Sequence, residues 1–144
     1  MAAELVVGIG GDGSGTAAAR TTARIASLIG AKLVLVFGYD PSALGPRGGP
    51  LESEIRAIGE TAIEEVRAEL AASYPDLEIE SEFVQDKAVE ALINVAEARH
   101  AEVIAVGHGG EGPFRGALLG SITYELVHRA PRPVLVVPDD PDDG

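Results

Sequence analysis

Five short apolar runs alternate with amphipathic segments along this 144-residue chain, and that alternation constrains the fold more than any other feature. The runs have the length and the branched side chains of buried strands, whereas the segments between them repeat apolar residues at helical spacing. The strands are predicted at residues 5–9, 33–37, 77–84, 103–106 and 134–137, and the helices at 16–29, 51–73, 88–99 and 121–129. Strands joined by helices form right-handed βαβ units. The sequence therefore predicts a single α/β domain with an open, parallel, five-stranded sheet and helices on both faces.

The third predicted strand indicates the order of the strands in this sheet. Its apolar residues alternate with Glu78, Glu80 and Glu82, which is typical of a half-exposed strand at a sheet edge. The order 3-2-1-4-5 puts that strand at an edge and makes strands one and four neighbours where the winding reverses. Ligands of such sheets bind at this point, beside the carboxyl ends of the strands. We therefore expect the functional site next to the residues that follow strands one and four.

Glycine-rich segments follow both of these strands. The first glycine turn covers residues 10–15, and the second glycine turn covers residues 107–120, with Gly107, Gly109 and Gly110 at its start and Gly120-Ser121 at its end. Glycines let the backbone approach an anion, and the Ser121 hydroxyl and the N–H groups that begin the next helix can donate to it. The layout predicts a phosphate site between the two turns. Ser121 also suits a helix N-cap, which uses the same geometry.

Two side chains of the second glycine turn are candidates for contact with phosphates. His108 lies among the glycines, and Arg115 is the cation of this turn. Each of them also fits a simpler interpretation, in which the side chain points into solvent. The remaining histidines, His100 and His128, lie near predicted helix ends and are expected at the surface, where a helix C-terminus stabilises positive charge.

The second helix and the segment before it complete the predicted architecture. Its apolar face is predicted to consist of Ile55, Ile58, Ala62, Val66 and Leu70, at spacings of three and four residues. The preceding residues 39–50 are rich in proline and glycine and are predicted to form a loop.

A dinucleotide site is an alternative interpretation of the first glycine turn. Gly8, Gly10 and Gly13 match the pattern Gly-x-Gly-x-x-Gly between a strand and a helix, and Asp40 is a possible ribose-binding acid after strand two. This interpretation leaves the second glycine turn without a role, and a chain of 144 residues has no room for a substrate domain. An NAD-type site therefore stays the alternative to a mononucleotide site.

Composition excludes several classes of function. A formal net charge of −12 argues against nucleic-acid binding, which requires a basic surface. No apolar run approaches the ~20 residues of a membrane helix, and the first residues lack the basic region of a signal peptide. We therefore expect a cytoplasmic protein without a membrane or nucleic-acid partner. Its nucleotide-binding domain is predicted at residues 1–138, followed by an acidic tail at 139–144.

Several segments together resemble the universal stress protein family. They are the opening strand with its glycine-rich turn, residues 33–37, residues 102–110 with Gly120-Ser121-Ile122, and residues 128–138. The spacing Gly-x2-Gly-x9-Gly-Ser is the nucleotide-binding signature of the ATP-binding branch. The resemblance covers residues 5–138 and implies a Rossmann-like fold of the adenine nucleotide alpha hydrolase-like type. It also implies a stress-response sensor or regulator that binds ATP with Mg²⁺, and a homodimer formed through the edge strand at residues 134–137.

The same resemblance implies which residues contact the nucleotide. They are Ile9, Gly10, Asp12, Gly107, His108, Gly110, Arg115, Gly120, Ser121 and Ile122. The family usually has an aspartate that contacts adenine directly after the first strand. An ungapped match puts Gly10 at that position and Asp12 two residues later. A slow ATPase or autophosphorylating enzyme is the alternative, for which His108 and Asp12 are the general bases on offer. No catalytic residue and no metal ligand is assigned, and any regulatory protein partner is unidentified.

Overall fold

The computed structural model describes residues 2–40, 50–109 and 120–138. Their elements are β1 (Glu4–Gly8), α1 (Thr16–Ile29), β2 (Lys32–Tyr39), α2 (Pro50–Ser73), β3 (Ile79–Gln85), α3 (Ala88–Arg99), β4 (Val103–Gly107), α4 (Ser121–Arg129) and β5 (Val134–Val137). The strands form one parallel sheet in the order β3-β2-β1-β4-β5. The predicted fold class and strand order are therefore confirmed. In the described ranges, no helix has the length and hydropathy of a membrane span.

The sheet separates two apolar cores. Along β2, Leu33, Leu35 and Phe37 belong to the core under α1 and α2, while Val34 and Val36 belong to the core under α3 and α4. This alternation follows from the two-residue period of a strand whose two faces are both covered. The central strands are thereby buried on both faces.

Some element boundaries differ from those predicted. β2 continues to Tyr39 because β3 pairs with it as far as Gln85. β3 begins at Ile79 because the N–H of Leu77 donates to the carbonyl oxygen of Tyr74 in a turn. Of the loop predicted at 39–50, Tyr39 lies in β2 and Pro50 begins α2, while residues 41–49 lie outside the described part.

The predicted apolar face of α2 is wrong at Ile58. This side chain is 53% exposed, whereas Ile63 is 1% exposed and belongs to the core. The cause is Gly59, which lies against the ring of Phe37 so closely that a Cβ would be 2.3 Å from a ring carbon. The helix therefore turns Gly59 toward the sheet and leaves Ile58 at the side, one residue around the helix.

The two edges of the sheet have different surfaces. At β3, Lys32 forms ion pairs of 2.9 Å with Glu78 and Glu80, and Arg99 forms ion pairs with Glu80 and Glu82. Donation from Lys32 and Arg99 lowers the pKa of Glu80 below its ordinary value. Such charges protect an edge strand from pairing with another chain. At the opposite edge, β5 is the apolar sequence Val-Leu-Val-Val.

Candidate functional site

A crevice of about 800 Å³ opens at the carboxyl ends of β1, β2 and β4. Its lining combines residues 8–15 with the ends of β2 and β4, Gly109, and residues 120–123 at the start of α4. The first glycine turn and the described ends of the second thus border the same space, as the strand order predicted. This is the place where an open α/β sheet binds its ligand.

The first glycine turn is closed by hydrogen bonds within itself. The N–H of Gly10 donates to the carbonyl oxygen of Ser14 at 2.8 Å, and the N–H of Gly13 donates to that of Gly10 at 3.0 Å. The N–H of Ser14 donates to Oδ1 of Asp12 at 2.9 Å. This backbone donation, with a second contribution from the Ser14 side chain, lowers the pKa of Asp12 below its ordinary value. The turn therefore presents a carboxylate that stays charged at neutral pH.

Gly15 fixes the conformation of this turn. It has a φ of 91° and forms the N-cap of α1, and a Cβ here would lie 2.2 Å from the carbonyl oxygen of Gly8. L-residues rarely adopt this φ, and backbone atoms leave no space for a side chain. Glycine is required at this position by the turn itself.

The described ends of the second glycine turn lie against each other. The N–H of Gly120 donates to the carbonyl oxygen of His108 at 3.1 Å, and Oγ1 of Thr123 donates to that of Gly107 at 2.7 Å. Gly109 has a φ of 73°, and a Cβ on it would lie 2.8 Å from the Cα of Gly120. These contacts hold the start of α4 beside the end of β4.

The start of α4 supplies hydrogen-bond donors to the crevice. Gly120, with a φ of −61° and a ψ of 157°, is the N-cap, so the predicted N-cap role of Ser121 is wrong. The reason is that the first intrahelical bond runs from Tyr124 N–H to Gly120 O, which makes Ser121 the first helical residue. N–H groups in a first turn have no acceptor within the helix and bind anions readily. Those of residues 121–123 belong to residues that line the crevice.

The opposite wall of the crevice is apolar. It contains Val36, Gly38, Ala88 and Leu92. α3 lies so close to the sheet that a Cβ on Gly38 would be 2.8 Å from the Cβ of Ala91. An apolar wall facing backbone donors suits a ligand with a flat ring and an anionic group.

The sequence model of the universal stress protein family matches residues 1–138. The chain belongs to the universal stress protein family.

Curated relatives of this universal stress protein occur in Mycobacterium tuberculosis. The universal stress protein Rv1996 is 28% identical over 155 residues, which cover 95% of this chain and 48% of the relative. Rv1636, another universal stress protein, is 29% identical over 144 residues, which cover 95% of this chain and 98% of the relative. The chain therefore spans about half the length of Rv1996.

Solved structures confirm the fold. A crystal structure of a universal stress protein in complex with cAMP superimposes with a TM-score of 0.71 at 28% identity. The match covers 94% of this chain and 96% of that one. The universal stress protein UspA from Lactobacillus plantarum gives a TM-score of 0.73 at 26% identity, over 94% and 97% of the two chains.

The structure brings most of the predicted site residues of this universal stress protein to one crevice. Those that line it are Ile9, Gly10, Asp12, Gly107, Gly120, Ser121 and Ile122. His108 is not part of the described lining, and its Nδ1 lies 3.2 Å from the carbonyl oxygen of Gly109. Gly110 and Arg115 lie outside the described residues.

Sequence reasoning missed the apolar wall. Gly38 carried a usable signal, since a glycine inside a strand often marks the close approach of another backbone or a ligand. Ala88 and Leu92 carried none, because nothing local distinguishes them from other apolar residues of α3. Within the described ranges, no group of three His, Asp or Glu side chains is arranged to hold a metal ion.

Proposed function

We propose that this chain binds an adenine nucleotide in the crevice, with ATP as its ligand, and acts in the cytoplasm as a sensor or regulator of a stress response. One observation carries the proposal: the first turn of α4, whose N–H groups have no acceptor within the helix, lines the same glycine-rich space as an apolar wall. The solved relative at 28% identity holds cAMP, which supports an adenine nucleotide as the ligand class.

The phosphates are assigned to the α4 side of the crevice. Asp12 is the charged side chain of the described lining, and it belongs to the first glycine turn. A negative net charge of −12 also opposes an anion, so binding requires local donors. The first turn of α4 provides them, with the positive end of its helix dipole. The ribose and base then lie toward the first glycine turn and the apolar wall.

Base recognition differs from the usual family pattern at Gly10. A Cβ on Gly10 would lie 2.2 Å from Oγ of Ser14 and 2.8 Å from Oδ1 of Asp12, so an aspartate here would require these two side chains to move. We assign recognition of the base to Asp12 and the backbone of this turn.

The described residues fit Mg²⁺ as a companion of the phosphates. Asp12 is the single carboxylate among the described lining residues. Mg²⁺ keeps several waters and often binds through one carboxylate and substrate phosphates. When bound, the ion would neutralise part of the phosphate charge and would be held by phosphate oxygens and its own waters.

Hydrolysis is the second candidate function. A general base must reach the attacking water with a pKa near the working pH. The low pKa of Asp12 makes it a weak base, and His108 is not part of the described lining. Binding without rapid turnover is therefore favoured. The NAD-type alternative is disfavoured because Asp40 does not belong to the described lining either.

Mass analysis of the purified protein tests the proposal directly. We expect stoichiometric adenine nucleotide and, in calorimetry, tighter binding of ATP than of NAD or GTP. Phosphate release should stay negligible over hours. Retained NAD would favour the dinucleotide alternative, and sustained release of phosphate would favour the enzyme.

We further propose a homodimer through the free edge of β5. Alternate residues of a parallel strand direct their backbone groups to opposite edges. Pro133 O and Val137 O accept hydrogen bonds from β4, so the groups of Val134 and Val136 face away from it. Antiparallel pairing of two copies would satisfy these groups around a two-fold axis.

Val136→Pro tests the dimer, because it removes an outward N–H without touching the pairing with β4. We expect monomers in sedimentation at tens of micromolar, whereas the control Val136→Thr should remain dimeric. A charge at Val137 would be a poor test, since this side chain is 4% exposed and its loss would unfold the core. A wild-type monomer at this concentration would contradict the proposal.

A further inference from the structure

A second groove, separate from the crevice, runs between α1 and α2. Its volume is about 640 Å³, and it begins at residues 11–13 of the first glycine turn. It is lined by Thr16 and Arg20 of α1 and by residues of α2 as far as Glu69. Residues 11–13 line both spaces, so the groove lies directly beside the proposed nucleotide site.

The floor of the groove is aliphatic. It consists of Ala57, Ile58, Ala62 and Val66, which recur at helical spacing along α2. Ile58 is 53% exposed although it was expected in the core. Its Cγ2 would lie 3.0 Å from a Cβ on Gly11, so it packs at the border of the glycine turn. An exposed aliphatic side chain in a concave surface can receive an apolar anchor from a partner.

The rim of the groove is acidic. It carries Asp12, Glu65 and Glu69, and Glu69 is paired with Arg20 at 2.5 and 3.0 Å. Within the described part of the chain, Asp12 and Glu65 have no ion pair with a basic side chain. The groove therefore combines an aliphatic floor with uncompensated negative charge.

We propose that this groove docks a cationic segment of another protein, in which lysines or arginines flank a single aliphatic residue. The aliphatic residue would pack on Ile58, and the flanking cations would face Glu65 and Asp12. The charges disfavour the other occupants. A nucleotide would bring negative charge to an acidic rim, and so would the same groove of a second copy in a two-fold contact.

The probe for the test is a short synthetic peptide with one central leucine between two pairs of lysines, labelled for fluorescence anisotropy. We expect saturable binding at physiological ionic strength. Amide shift changes in NMR should be confined to α1, α2 and the first glycine turn. Peptides with glutamates in place of the lysines, or with serine in place of the leucine, should bind at least about tenfold more weakly.

Matched variants separate the groove from the general charge of the protein. Glu65→Lys should weaken binding about tenfold, whereas Glu64→Lys, one residue away on α2 and outside the groove lining, changes the net charge equally and should have little effect. Ile58→Ala should weaken binding, while Leu28→Ala, at an exposed position on α1, should not.

Three outcomes would overturn the proposal. The first is equal weakening by Glu65→Lys and Glu64→Lys, which would mean that net charge alone explains the attraction. The second is equal binding of the glutamate peptide. The third is a change of sedimentation coefficient in Ile58→Ala without peptide, which would identify a second copy as the occupant. None of these measurements requires nucleotide, so they stand apart from the test of the nucleotide site.

Discussion

The first glycine turn and the described ends of the second lie on the same crevice but use their hydrogen bonds differently. In the first turn, the N–H groups of Gly10, Gly13 and Ser14 donate to acceptors within the turn, which also carries the charged Asp12. The described end of the second turn uses the N–H of Gly120 to join His108, and the next three N–H groups begin α4 without an acceptor inside the helix. A glycine-rich sequence is therefore insufficient to identify an anion site, because a glycine turn can use its N–H groups to close itself.

Individual glycines show the same contrast. Gly15 has a positive φ and a backbone oxygen against its missing side chain, so the turn itself requires it. Gly107 has neither constraint, and a Cβ on it would meet nothing within 4 Å. Gly15 is therefore required by the fold, whereas Gly107 keeps space open in the crevice that it lines.

The largest expected effect is on stability, from Gly15→Ala. The new methyl group would meet the Gly8 carbonyl oxygen in a strained φ, so the free energy of unfolding should fall by at least ~2 kcal/mol. Gly13→Ala is the matched control, because Gly13 has a φ of 87° but nothing within 4 Å of its Cβ position. The free energy of unfolding of Gly13→Ala should fall by only ~1 kcal/mol. Urea unfolding measures both, and equal losses would show that the contact with Gly8 does not matter.

Gly107→Val should affect ATP binding more than stability. Valine is favoured in strands, so the free energy of unfolding should change by less than ~1 kcal/mol. The side chain would fill crevice space, so ATP affinity should fall at least about tenfold, ~1.4 kcal/mol. Gly107→Ala should give an intermediate loss. Calorimetry on folded protein measures the series, and unchanged affinity would remove the α4 side of the crevice from the site.

Restoring the family's aspartate at position 10 tests how the first glycine turn recognises the base. Gly10→Asp alone must first displace the flexible Ser14 hydroxyl, which lies 2.2 Å from the position of the new Cβ. Combined with Ser14→Gly, it should raise the preference for ATP over GTP about tenfold, the effect of one hydrogen bond to a charged group. Competition binding with the two nucleotides gives the ratio. An unchanged ratio in the double variant would mean that an aspartate at position 10 adds nothing to the recognition of the base by Asp12 and the backbone.

Asp12→Asn should have the smallest effect. Removing the carboxylate that is assigned to the base, while keeping a side chain of the same size, should lower ATP affinity about threefold, less than 1 kcal/mol. The stability change has a defined sign, because a carboxyl with a lowered pKa stabilises the fold above its unfolded pKa of about 3.9. That contribution disappears as pH falls through the lower folded pKa.

The pH dependence of unfolding checks this sign. The difference in urea midpoint between wild type and Asp12→Asn should be constant above about pH 5 and vanish in stronger acid. A difference that grows on acidification would contradict the assigned hydrogen bond.

Local pattern was sufficient for the elements and the strand order. The alternation of Glu78, Glu80 and Glu82 correctly indicated an edge, and the buried pattern of residues 33–37 correctly indicated a central strand. Pattern failed at Ile58, because the periodicity of a helix allows two neighbouring stripes and cannot choose between them. Packing of Gly59 on Phe37 made that choice.

The sequence by itself determined the fold class, the family and the presence of two glycine turns at one edge of the sheet, since periodicity, composition and motif spacing lie within continuous segments. Only the tertiary structure decided which glycine serves the fold and which lines the crevice. It also decided that Gly38 and Leu92 share a wall, and that Ile58 faces a groove. These are contacts between segments distant in sequence, and they depend on how closely helices pack on the sheet, which no local pattern specifies.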